Sequence, residues 1–102
     1  MEVLQMSIMI IVDAKIKDEK LSTFEAFFGE LLPDTRNFEG CEGVTLCTNS
    51  EDSGHLFLVE KWASKEHYEK YHHWRAERGD LQKIRDHLDG PVNRVFLDVV
   101  NG

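Results

Sequence analysis

Apolar positions alternate along residues 7–16: Ile8, Ile10, Val12, Ala14 and Ile16 fall on one face of a predicted strand, and Met9, Ile11 and Asp13 on the other. Asp18 offers a helix N-cap, with Glu19 in the first turn where the helix dipole favours an acid. Leu21, Phe24, Phe27, Phe28, Leu31 and Leu32 follow at helical spacing. Pro33 lies inside that pattern; it lacks a backbone donor and is predicted to kink or loosen the helix. The glycines of NFEGCEG (37–43) end the segment. Residues 44–49 alternate again, with Val44, Leu46 and Thr48 against Thr45, Cys47 and Asn49. SEDSG (50–54) reads as a turn, so residues 55–62 are predicted to return as the hairpin partner. Ser64 caps a second helix, on which Tyr68, Tyr71, His72, Arg75 and Ala76 recur at three- and four-residue steps. Gly79 breaks or bends it, Leu81, Ile84 and Leu88 continue the apolar stripe, and DGP (89–91) precedes a last strand over 92–100. The order β-α-β-β-α-β predicts an α+β, ferredoxin-like fold: a four-stranded antiparallel sheet with two helices on one face.

The first and third strands are apolar on both sides, the third placing Leu56, Leu58 and Trp62 against Phe57 and Val59. Two helices cover only one side of such a sheet. The other side is expected to be covered by a second copy of the chain, as a homodimer packed sheet to sheet; the pattern leaves open which strand face that is. A length of 102 residues fits one domain, 1–102, and is short enough for association to be a natural supplement to its own core.

The net charge of −7 opposes a phosphate backbone, so no nucleic-acid partner is expected. Arg75, Arg78, Lys83 and Arg85 are interleaved with Glu77, Asp80 and Asp86 and read as a solvated helix face. No apolar run approaches the roughly 20 residues of a membrane span, and the first residues lack the basic and small-residue marks of a signal peptide. A cytoplasmic protein without a membrane partner is expected. Cys41 and Cys47 form neither a CxxC nor a zinc pattern and read as reduced thiols. His67 and His72 are five residues apart rather than the four of a zinc helix, and His72 and His73 point about 100° apart. With no phosphate loop or nucleophile elbow either, the chain is expected to carry no flavin, haem or metal. His55, His67, His73 and His87 read as solvated.

One stretch departs from this ordinary pattern. KWASKEHYEKYHHWRAERGD (61–80) holds both tryptophans, both tyrosines and three of the five histidines. Either these rings are the core of one helix, or they line a cavity for an aromatic molecule. In the second reading Tyr71, His72 and Arg75 border the cavity as catalytic candidates, with Trp62, Tyr68 and Trp74 as substrate-binding walls. His72 takes a proton from the bound aromatic molecule, Tyr68 and Tyr71 donate to one of its oxygens, and Arg75 stabilises the anion.

KIKDEKLSTF at the end of the first strand, EGCEG before the second, LFLVEKWASKEHYEKY, and DHLDGPVNRVF together resemble the antibiotic biosynthesis monooxygenase (ABM) domain of the dimeric α+β barrel superfamily. The resemblance spans about residues 8–100, and Glu60, Trp62 and Ser64 are its most specific part. It implies a ferredoxin-like dimer with a ligand cavity between sheet and helices. It also implies a cofactor-independent monooxygenase acting on a small phenolic or quinol-type substrate. A non-catalytic small-ligand-binding or stress-related protein, or a small-metabolite isomerase, are the other roles the scaffold supports. Two positions depart from the family pattern. Many members carry a histidine nine residues after the tryptophan, where this chain has Tyr71 followed by His72. The residues that haem-degrading members use correspond to Ile11, Tyr71 and Leu81, which does not suit haem.

Overall fold

The computed structural model describes residues 6–102. Strand β1 (Ile8–Lys15) leads through a 3₁₀ turn to helix α1 (Phe24–Arg36). Strands β2 (Cys41–Asn49) and β3 (Asp52–Trp62) form the hairpin, followed by α2 (Lys65–Glu77), α3 (Asp80–Arg85) and β4 (Asn93–Asp98). The sheet is antiparallel in the order β2-β3-β1-β4. That is the ferredoxin-like α+β arrangement.

The register decides which residues the helices cover. Ile8, Ile10, Val12 and Ala14 stand opposite Trp62, Glu60, Leu58 and Leu56, and this face packs on the helices. On it lie two apolar clusters. One gathers Ala14, Ile16, Phe24, Phe28, Leu56 and Leu88; the other gathers Ile8, Ile10, Trp62 and Tyr68. Met9, Ile11, Phe57, Val59, Val95 and Leu97 share the opposite face, which no helix covers. Val95 and Leu97 are 49% and 40% exposed there. Cys41 and Cys47, both free thiols, stand opposite Trp62 and Phe57, hence on opposite faces of the sheet.

Several local expectations are corrected. Asp18 does not cap α1. It begins the 3₁₀ turn of Asp18–Lys20, because pairing of the chain continues past β1: Ile16 bridges Leu88, and the Lys17 N–H donates to the His87 carbonyl at 2.9 Å. The helix therefore starts only at Phe24. Pro33 sits in the last turn of α1, where the Asn37 N–H donates to its carbonyl at 3.1 Å. Gly79, at φ +81°, makes a full break, so the second helical segment becomes two helices. The Ser64 cap is present, its hydroxyl accepting from the His67 N–H at 3.2 Å. No described helix is long and apolar enough to cross a membrane.

Three of the histidines read as solvated are half-buried. His55 lies 2.9 Å from Asp13, His67 lies 2.6 Å from the Ser64 hydroxyl, and the His87 ring stacks on Phe27 at 4.1 Å. His73 is exposed, beside Glu77.

Candidate functional site

Between the two apolar clusters lies a cavity of about 90 Å³. Phe28 and Leu56 wall it from one cluster and Tyr68 from the other; Tyr71, His72 and Arg75 also border it. The α2 spacing accounts for this convergence, because residues three and four apart share a helix face. Four of the six candidates thus reach one cavity. Trp62 and Trp74 do not line it. Trp62 is fully buried behind the tyrosines, its ring centre 4.9 Å from that of Tyr71. Trp74 lies instead beside the guanidinium groups of Arg75 and Arg78, 4.7 and 4.8 Å from its ring centre.

Arg75 is the most constrained of the four, at 1% exposure. It donates to Asp80 at 2.8 Å, to the Leu31 carbonyl at 2.7 Å, to Thr35 Oγ1 at 2.9 Å and to the Tyr71 hydroxyl at 3.1 Å. Four bonds to fixed partners leave the fork little capacity for a ligand. Burial opposes its charge, but the bonds to Asp80 and Tyr71 prevail and raise its pKa. The Tyr71 hydroxyl is likewise held, 2.8 Å from Thr35 Oγ1. Burial raises the pKa of both Tyr68 and Tyr71, so both phenols keep their protons at neutral pH.

His72 is set apart by having no strong partner; its Nε2 lies 3.5 Å from an Arg94 nitrogen. Desolvation lowers its pKa, helped by the charges of Arg94 and Arg85. The imidazole is therefore neutral at pH 7 and can accept a proton.

Two further cavity groups carry chemistry. Glu60, 5% exposed, stands on the helix-facing side of β3 and takes one bond, from Trp62 Nε1 at 3.0 Å. Burial raises its pKa, against the Trp62 bond and the Arg94 charge. Its place was readable: it interrupts the stripe Leu56, Leu58, Trp62 with a carboxyl. Arg94 stands opposite Val12 on β4 and reaches the cavity from the sheet edge. Strand pairing across the sheet, invisible in local spacing, brings it to α2. Among the described residues no group of three or more His, Cys, Asp or Glu side chains gathers in a way that could hold a metal.

With this geometry in view, comparison with known proteins places the chain. It belongs to the antibiotic biosynthesis monooxygenase family, whose pattern matches residues 7–78. Among solved structures it is similar to an antibiotic biosynthesis monooxygenase (TM-score 0.82, 21% identity, covering 92% of this chain and 99% of that one). It is also similar to a conserved protein from Methanosarcina mazei Go1 (TM-score 0.82, 17% identity, covering 90% and 91%). A protein from Pseudomonas aeruginosa shares the fold as well (TM-score 0.77, 18% identity, covering 98% and 100%). At these identities the likeness is one of fold. No curated protein matches the sequence significantly.

Proposed function

We propose that the protein is a cofactor-independent monooxygenase that oxidises a small phenolic or quinol-type compound with O2 in this cavity. The observation that carries the reading is a neutral imidazole, His72, on the wall of a mostly apolar, partly enclosed space. His72 takes the phenolic proton. The resulting electron-rich anion passes an electron to O2, and recombination at a ring CH2 or CH carbon forms a C–O bond. Loss of water from the hydroperoxide leaves a carbonyl, so that CH2 and O2 become C=O and H2O. The substrate supplies the electrons, and the protein supplies the base and a dry, shaped site. Glu60, in the protonated form that its burial favours, donates a hydrogen bond to the substrate oxygen, while the tyrosine rings form rigid walls. One observation favours the ligand-binding alternative. Arg75, the natural stabiliser of an anion, is already fully engaged within the protein.

A homodimer is part of the proposal. The helix-free face of Met9, Ile11, Phe57, Val59, Val95 and Leu97 is a contiguous apolar surface that a second copy would cover.

Oxygen uptake with a panel of hydroquinones tests the chemistry. Turnover is expected, with His72→Ala lowering it by roughly 10²–10⁴-fold, as loss of a general base does. Binding without oxygen uptake across the panel would leave the protein as a ligand carrier.

A further inference from the structure

A second space adjoins the inner cavity: an open groove of about 660 Å³ between α2 and β4, whose walls include Tyr68, His72, Arg94 and Phe96. Tyr68, His72 and Arg94 belong to both spaces and stand at their junction. The inner cavity alone, at about 90 Å³, is smaller than the ~150 Å³ engineered void that accommodates benzene. Even a single-ring ligand must therefore extend across the junction into the groove, past Arg94.

The charges at that junction contrast with the rest of the molecule. The chain carries −7 overall, yet Arg94 and Arg85 both line the cavity and are both solvent-exposed. Neither makes an ion pair with a carboxylate among the described residues, whereas Arg75 and Arg78 are both committed to Asp80. Glu69 borders the groove but does not pair with Arg94. Arg94 lies 3.5 Å from His72 Nε2, and Tyr68 is a further side-chain neighbour. Two arginines beside a mostly apolar cavity that make no ion pair among the described residues form a receptor for an anion.

We propose that Arg94 and Arg85 bind an anionic substituent, a carboxylate or its equivalent, on an aromatic ligand whose ring enters the inner cavity. This rests on the cavity being the ligand site of the proposed function, and it narrows the substrate class from phenols in general to acidic ones. The arginines position the ring so that the group to be deprotonated faces His72. They also raise the local concentration of an anion that the chain's net charge would otherwise repel. Burial disfavours the charged form of Glu60 on the same cavity wall, which limits its opposition to an anion there.

Anaerobic titration of the full chain with 1-hydroxy-2-naphthoate and with 1-naphthol, read by tryptophan fluorescence and calorimetry, tests the inference. The carboxylated ring is expected to bind at least roughly tenfold more tightly, the increment of a charge-assisted hydrogen bond, and to weaken with added salt. Arg94→Gln and Arg85→Gln should each reduce that preference and the double variant should abolish it, with 1-naphthol affinity unchanged within about twofold. Arg94→Lys, which keeps the charge, should retain part of the preference. Equal binding of the two rings, a preference that survives the double variant, or no binding of either at millimolar concentration would each overturn the proposal. The two readings separate cleanly in the assays. Anion preference without oxygen uptake removes the oxygenase and keeps the arginine site; uptake with neutral quinols and no anion preference does the reverse.

Discussion

Arg75→Met should cost the fold more than the chemistry. The side chain is 1% exposed, and three of its four bonds join α2 to α1 and to the start of α3, the fourth going to Tyr71 on α2 itself. Removing one partner of a buried ion pair costs about 3–5 kcal/mol. Arg78, 3.0 Å from Asp80 and half-exposed, remains as a partial counter-ion, which puts the expected loss near the lower end, about 3 kcal/mol. For a small domain of total stability about 5–15 kcal/mol this is a large fraction, and at about 4–8 °C per kcal/mol it lowers Tm by roughly 12–24 °C. Thermal and urea unfolding followed by circular dichroism measure it. Arg75→Met/Asp80→Leu should recover part of the loss, since it removes the stranded carboxylate as well. The acid limb gives a second check. Burial alone would raise the pKa of Asp80, but the bonds from Arg75 and Arg78 outweigh it and the pKa is lowered. The stability from that shift is fully present above the unfolded value of about 4 and is lost as pH falls through the lower folded value. Arg75→Met should flatten that limb. An unchanged Tm together with lost turnover would refute the reasoning and return Arg75 to the role of anion stabiliser.

In the oxygen-uptake assay, kcat/KM should fall on the acid side with a midpoint below the ordinary histidine value of about 6.5, because desolvation, Arg94 and Arg85 lower the His72 pKa; a midpoint above it would remove His72 as the base. Gly40→Ala should destabilise by roughly 2 kcal/mol or more in urea unfolding, since φ is +89° and a Cβ would lie 2.3 Å from the His67 ring. A loss within a few tenths of a kcal/mol would mean that the ring moves aside freely. Ile11→Glu places a charge at the middle of the helix-free face, opposite Val59 and Val95, and should give a monomer in sedimentation. A persisting dimer would put the interface elsewhere.

The fold was legible because its signals are local. Two-residue alternation in β1 and β3, the Ser64 cap and the positive-φ glycine at 79 each act within a few residues, and together they define element order. The misplaced start of α1 shows where local reading stops. Asp18 has the chemistry of a cap, but the backbone pairing of Ile16 and Lys17 with residues 87 and 88 holds the chain extended there, some seventy residues away in sequence. The same pairing accounts for His87, whose solvation could be judged only once the ring of Phe27 was known to lie 4.1 Å from it.

The candidate site divides along the same line. Tyr68, Tyr71, His72 and Arg75 share a face because a helix places them so, and the sequence contains that fact. What each can do depends on partners from other elements. Thr35 and Leu31 on α1 occupy Arg75, and Arg94 on β4 comes to His72 only through the β1–β4 register. The result is an exchange of roles among like residues. The arginine that spacing nominated for an anion is internally neutralised, while Arg94 at the junction with the outer groove and Arg85 on the inner wall make no ion pair among the described residues. A buried, fully bonded cation rigidifies the wall on which His72 sits, and an exposed, unpaired one can exchange water for a ligand at small cost. Anion recognition in this molecule therefore belongs at the junction, with rigidity supplied from behind it.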